Sequence, residues 1–81
     1  MLTIKVLGPG CANCKRLEQI ATKVVTELGI QAQVVKVTDY NDIMSYDILS
    51  TPGLVINDKV VSYGRIPSPA EVTGWVTSAL A

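Results

Sequence analysis

Leu2-Thr3-Ile4-Lys5-Val6-Leu7-Gly8-Pro9-Gly10-Cys11-Ala12-Asn13-Cys14 opens a chain of 81 residues and decides how the rest is read. Residues 2–7 alternate and are rich in strand formers, so they predict a β-strand. Gly8-Pro9-Gly10 forbids its continuation in either regular structure. From Ala12 to Leu28 the apolar residues Leu17, Ile20, Ala21, Val24, Val25 and Leu28 recur at spacings of three and four, the pattern of one helix face, and Gly29 stands where a C′ residue belongs. The two cysteines of the chain therefore fall where a strand hands over to a helix.

That position gives the cysteines a chemistry. Residues three apart on a helix lie about 5 to 6 Å from each other, inside the window a disulfide needs, so the pair can close and open with little backbone movement. Cys11 is expected at or near the N-cap, where free backbone N–H groups and the positive end of the helix dipole favour a thiolate; Cys14 falls within the first turn. The expectation is a nucleophilic Cys11 and a resolving Cys14, working by thiol–disulfide exchange. A bridge across so short a loop would constrain the unfolded chain very little, which argues against a structural staple. Lys15, just beyond the pair, reads as an ordinary solvated lysine. The chain has no histidine, which excludes a cysteine–histidine hydrolase.

Working outward, Gln31 to Val37 predicts a second strand through the β-branched Val34, Val35 and Val37. Asp39 is a candidate N-cap, with Asp42 three residues on, for a short helix running to about Asp47 with Ile43 and Met44 turned inward. Thr51-Pro52-Gly53 leads into a third strand at Leu54-Val55-Ile56. Asn57-Asp58-Lys59 then turns the chain into Val60-Val61-Ser62-Tyr63, a hairpin signature because Asn and Asp tolerate positive φ. Ser68-Pro69-Ala70-Glu71 carries three agreeing helix-start cues: an N-cap serine, proline at the first helical position and glutamate closing a capping box. The last helix places Val72, Trp75, Val76, Ala79 and Leu80 on its core side. The predicted order is β-α-β-α-β-β-α, an α/β fold with a mixed four-stranded sheet flanked by three helices, some on each face.

Bulk composition narrows the class. Hydrophobic residues make up 48% of the chain and charged residues 17%, a globular composition, and the length suits one domain spanning residues 1–81. Seven basic and seven acidic residues cancel with no long run of either sign, which speaks against nucleic acid or an anionic membrane as partner. No apolar stretch approaches the roughly 18 residues of a membrane span. Residues 1–7 lack the charged start, apolar run and cleavage site of a secretion signal, so a cytoplasmic protein is expected. A monomer is the separate expectation for its assembly.

Three motifs carry a family resemblance: Gly10-Cys11-Ala12-Asn13-Cys14 after the first strand, Ser50-Thr51-Pro52 before the third, and Tyr63-Gly64-Arg65-Ile66-Pro67 after the fourth. With them the whole chain resembles the thioredoxin and glutaredoxin superfamily, above all its small redox-active disulfide proteins. The resemblance implies a thioredoxin-like fold and a thiol–disulfide oxidoreductase with no cofactor, in which Cys11 and Cys14 are catalytic. It also implies that Pro52 is a cis-proline facing the cysteines, that the backbone of Thr51 docks the substrate chain, and that Gly64 keeps the approach open. Disulfide-containing proteins are the implied substrates, with a flavoprotein reductase or glutathione as electron donor. Ala12-Asn13 matches neither the Gly-Pro of thioredoxins nor the Pro-Tyr of glutaredoxins, and the Gly-Gly-x-x-Asp segment with which glutaredoxins hold glutathione has no counterpart at residues 64–68.

A second class remains open at this point. Soft-metal chaperones of the heavy-metal-associated type also place Cys-x-x-Cys between a first strand and a first helix, and two thiolates suit Cu(I) or, with outside ligands, Zn(II). Those domains run β-α-β-β-α-β and end on a strand, whereas this chain ends on a capped helix. A thioredoxin-fold adaptor with incidental cysteines is the third reading.

Overall fold

The computed structural model describes residues 2–80, in the order β1 (Leu2–Leu7), α1 (Ala12–Leu28), β2 (Ala32–Val37), α2 (Tyr40–Met44), β3 (Gly53–Ile56), β4 (Lys59–Tyr63) and α3 (Pro69–Leu80). The elements and their order are those the sequence predicts, with strand starts differing by one residue. The sheet runs β2-β1-β3-β4. β1 and β2 are parallel, as a strand-helix-strand crossover requires, while β3 lies antiparallel to both β1 and β4.

Local chemistry explains the boundaries. Gly29 ends α1 in the left-handed conformation (φ 65°, ψ 29°), its N–H donating to Thr26 O at 3.2 Å, and Ile30 N–H reaches back to Val25 O. The β3–β4 hairpin turns on Asn57 and Asp58, both at positive φ (49° and 67°), the backbone a two-residue hairpin of matching twist demands. At α3 the capping box is reciprocal: Glu71 N–H donates to Ser68 Oγ at 3.2 Å, and Ser68 N–H to Glu71 Oε1 at 3.1 Å.

The alternation of β1 sorts the core into two layers. Leu2, Ile4 and Val6, with Leu54 and Ile56 of β3, pack against Leu17, Ala21, Val24 and Val25 of α1 and Val72 and Val76 of α3; Trp75 and Ala79 pack around them. Leu7 and Val55 face the other way, against Ile43 and Ile48. Each fully buried aliphatic side chain here contributes roughly 1.5–3 kcal/mol relative to exposure.

Three expectations need correction. The second helix ends at Met44 rather than near Asp47, because Ser45, Tyr46 and Asp47 close the chain with tight bonds to carbonyls three residues back and Asp47 turns left-handed at φ 59°. Met44, expected inward, is exposed, and its place in the core is taken by Ile48 from beyond the helix. Leu28 and Leu80, assigned to core faces, lie exposed in the last turns of α1 and α3, where little of the chain covers them.

Candidate active site

The strand directions bring separate stretches of chain to one rim. Leu7 at the end of β1 pairs with Val37 at the end of β2 and with Gly53 at the start of β3, and Gly53 pairs with Tyr63 at the end of β4. The segments that follow β1, β2 and β4, and the one that precedes β3, therefore gather there, outside the carboxyl ends of the parallel strands, where open α/β sheets place their ligands. Every site residue predicted from sequence belongs to one of these segments or to the first turn of α1.

Cys11 is the N-cap of α1. Its backbone is extended (φ −68°, ψ 166°), and its Sγ accepts the N–H of Cys14 at 3.1 Å, the role a serine or aspartate oxygen fills in an ordinary cap. Gly10 supplies the left-handed turn that aims the chain into the helix (φ 97°). Cys11 and Cys14 are joined as a disulfide with their Cα atoms 5.0 Å apart. The two sulfurs are unequally placed: Cys11 is exposed, whereas Cys14 is only 5% exposed, beneath the end of β1.

Thr51 and Pro52 lie beside this pair. The Thr51–Pro52 peptide is cis, Pro52 is buried and Thr51 is exposed. Gly64 is tied to the same turn, its N–H donating to Pro52 O at 2.9 Å. It adopts φ 78°, and a side chain there would collide with Ser50 Oγ. The structure thus brings Cys11, Cys14, Thr51, Pro52 and Gly64 to a common rim.

Two features of this rim escaped the sequence. Gly8, read only as a strand breaker, backs directly onto Cys14, leaving no space for even a methyl group. Beyond it lies an open groove of about 250 Å³ whose walls include Pro9, Tyr40, Met44, Leu49 and Thr51 and carry no charged side chain. Tyr40 is 72% and Leu49 89% exposed, and with Met44 they form an apolar surface in the groove that Pro9 and Thr51 also line. A glycine in a breaker cluster and apolar residues in a poorly periodic stretch leave no local signal of either role.

Two charged contacts fix side chains elsewhere on the sheet and on α3. Arg65 meets Glu71 through two parallel bonds, Nη1 to Oε1 at 3.1 Å and Nη2 to Oε2 at 2.7 Å. The guanidinium first, and then the Ser68 N–H, hold the Glu71 carboxyl down at about 2. Lys5 donates to the Tyr46 hydroxyl at 3.0 Å and lies 3.5 Å from Asp58; the bond to Tyr46 is the main reason its ammonium is raised above the usual range. Among the described residues no three His, Cys, Asp or Glu side chains cluster to hold a metal ion. No helix among them is long and apolar enough to cross a membrane.

Residues 2–77 match the model of a family described as "Thioredoxin domain". The chain belongs to the thioredoxin family. Relatives include a protein named thioredoxin from Methanocaldococcus jannaschii, 42% identical over 80 residues that cover 99% of this chain and 92% of the relative. A protein of the same name from Methanothermobacter thermautotrophicus is 36% identical, over 89% of this chain and 94% of its own. In shape the chain also resembles a solved structure titled "Structure of a malarial protein", with a TM-score of 0.72 over 100% of this chain and 99% of that one; at 12% identity that likeness speaks to the fold. Membership of the thioredoxin family and the Cys11–Cys14 disulfide together support a thiol–disulfide oxidoreductase.

Proposed function

We propose that the chain reduces disulfides in other proteins as a monomeric single domain, with Cys11 as nucleophile and Cys14 as resolving thiol. The observation that carries the reading is the asymmetry of the pair: Cys11 caps the helix in the open, and Cys14 is shielded beneath it. In the dithiol form, the Cys11 thiolate is favoured by the helix N-terminus. It attacks one sulfur of the target disulfide, making a Cys11–target bond and releasing the other target sulfur as a thiolate, which takes up a proton. Cys14 then loses its proton and attacks Cys11 Sγ, closing the Cys11–Cys14 bridge and expelling the second target thiolate. Two electrons pass from protein to target.

In this reading the Thr51 backbone aligns the incoming chain beside the cysteines, with Pro52 and Gly64 holding that turn. The groove at Tyr40, Met44 and Leu49 takes apolar residues flanking the target cysteine. A flavoprotein reductase suits the recharging step at least as well as glutathione, since the groove has no charge to meet glutathione's carboxylates and Arg65 is held by Glu71. A reductive role fits the cytoplasm, where thiols are kept reduced.

The test is trapping with a protein disulfide. Cys14→Ser is expected to accumulate a Cys11–target mixed disulfide, and Cys11→Ser to form none and lose activity. The opposite pattern overturns the assignment of roles. Absence of any reversible intramolecular bridge, together with tight Cu(I) binding by the metal-stripped protein, replaces the oxidoreductase with a metal module.

A further inference from the structure

Gly8 is buried, and its N–H is fixed to Val37 O at 2.9 Å. Its φ lies outside the left-handed region, so the backbone itself would accept any residue. What a side chain lacks is room: a Cβ at position 8 would overlap Cys14 Sγ, stand 3.1 Å from Cys14 Cβ and lie 3.9 Å from Thr51 Cβ. The tight approach to Cys14 Cβ is common to both redox forms, but the severest overlap is with the sulfur, whose freedom changes with its redox state. While bonded to Cys11 it is tethered, with both Cα positions set by the first turn of α1. Once the bridge is opened, Cys14 regains rotation about χ1 and can turn away from position 8.

We propose that Gly8 is a positioning residue that sets the redox equilibrium of the pair, by leaving clear the space the Cys14 sulfur occupies only when it is bonded to Cys11. A larger residue would crowd the disulfide form more than the dithiol form. Reduction by an external dithiol breaks the Cys11–Cys14 bond, delivers two electrons and two protons to the two sulfurs, and leaves the external dithiol as its own disulfide. Gly8→Ala pushes that exchange toward the protein dithiol, because overpacking falls on the side where the sulfur cannot yield. The inference rests on the pair cycling as proposed above.

The experiment equilibrates wild type and Gly8→Ala in graded mixtures of reduced and oxidised dithiothreitol, counts free thiols and follows thermal unfolding of each redox form. Expected is a shift of about tenfold in the equilibrium toward the dithiol, about 30 mV for a two-electron couple, with a larger loss of Tm in the oxidised than in the reduced protein. A shift below about threefold, a shift toward the disulfide, or an equal loss of Tm in both forms overturns the proposal. Wild type with no reversible midpoint overturns the cycling itself and this inference with it. Should Gly8→Ala not fold, Gly8→Ala/Cys14→Ala decides: with the sulfur removed the double variant is expected to fold, and its failure to do so overturns the proposal.

Discussion

The backbone N–H of Gly64 donates to the carbonyl oxygen of Pro52 at 2.9 Å, joining the segment after β4 to the turn that precedes β3. The bond exists because residue 64 takes φ 78° and presents no side chain to Ser50. Gly64→Ala is expected to lose about 1–2 kcal/mol from the left-handed backbone alone. Urea unfolding measures that loss. Gly64→Ala in a Ser50→Gly background should recover only the steric part of any further deficit, and a variant as stable as wild type contradicts this account of the turn.

The apolar groove makes its own prediction. Leu49 is 89% exposed, so replacing it leaves folding intact within about 0.5 kcal/mol. Leu49→Asp should raise KM for a protein disulfide severalfold and leave kcat and the redox midpoint unchanged. A small-molecule disulfide, too short to reach the groove, should be reduced at the wild-type rate.

Glu71 gives the stability a dependence on acid. Its carboxyl is held at about 2 in the folded chain against an ordinary value of 4.5, chiefly by Arg65. A depressed folded-state pKa contributes stability that is complete above about pH 4.5 and is lost as pH falls through the window down to about 2. The urea midpoint of wild type should therefore decline across that window, and Glu71→Gln should decline less steeply there.

Ile43 and Met44 are adjacent and similar in size, yet only Ile43 belongs to the core. Ile43→Ala is expected to cost about 2–5 kcal/mol, as a large-to-small change in a packed site does. Met44→Ala should stay within about 0.5 kcal/mol, the range of surface substitutions. Urea unfolding of the two variants distinguishes them directly.

That pair also marks where sequence reading stopped. Along α1 the spacing of Leu17, Ala21, Val24 and Val25 repeats often enough to fix the buried face, and Ser68 with Glu71 states a helix start in four residues. Asn57 and Asp58 announce their own backbone conformation. The five residues of α2 contain little more than one turn, so periodicity cannot choose between Met44 and the more distant Ile48. The exposure of Leu28 and Leu80 depends on which other segments reach the last turns of their helices, which helix periodicity does not encode. The cysteine pair was visible because motif and handover coincide at Cys11. The contact of Gly8 with Cys14 and the groove at Tyr40 and Leu49 arise only when distant stretches meet in space.

The sheet's directions also give the molecule two unlike rims. The sulfurs, the cis-proline turn and the groove occupy one, while the Asn57–Asp58 turn, Gln31 and Lys59 lie at the other, roughly 17 Å away along the six residues of β1. Asn57, Asp58, Lys59 and Gln31 are all exposed. A protein anchored to a bead or an electrode through Lys59 would thus stand with its dithiol turned outward, every copy oriented alike, ready to exchange electrons with whatever flows past.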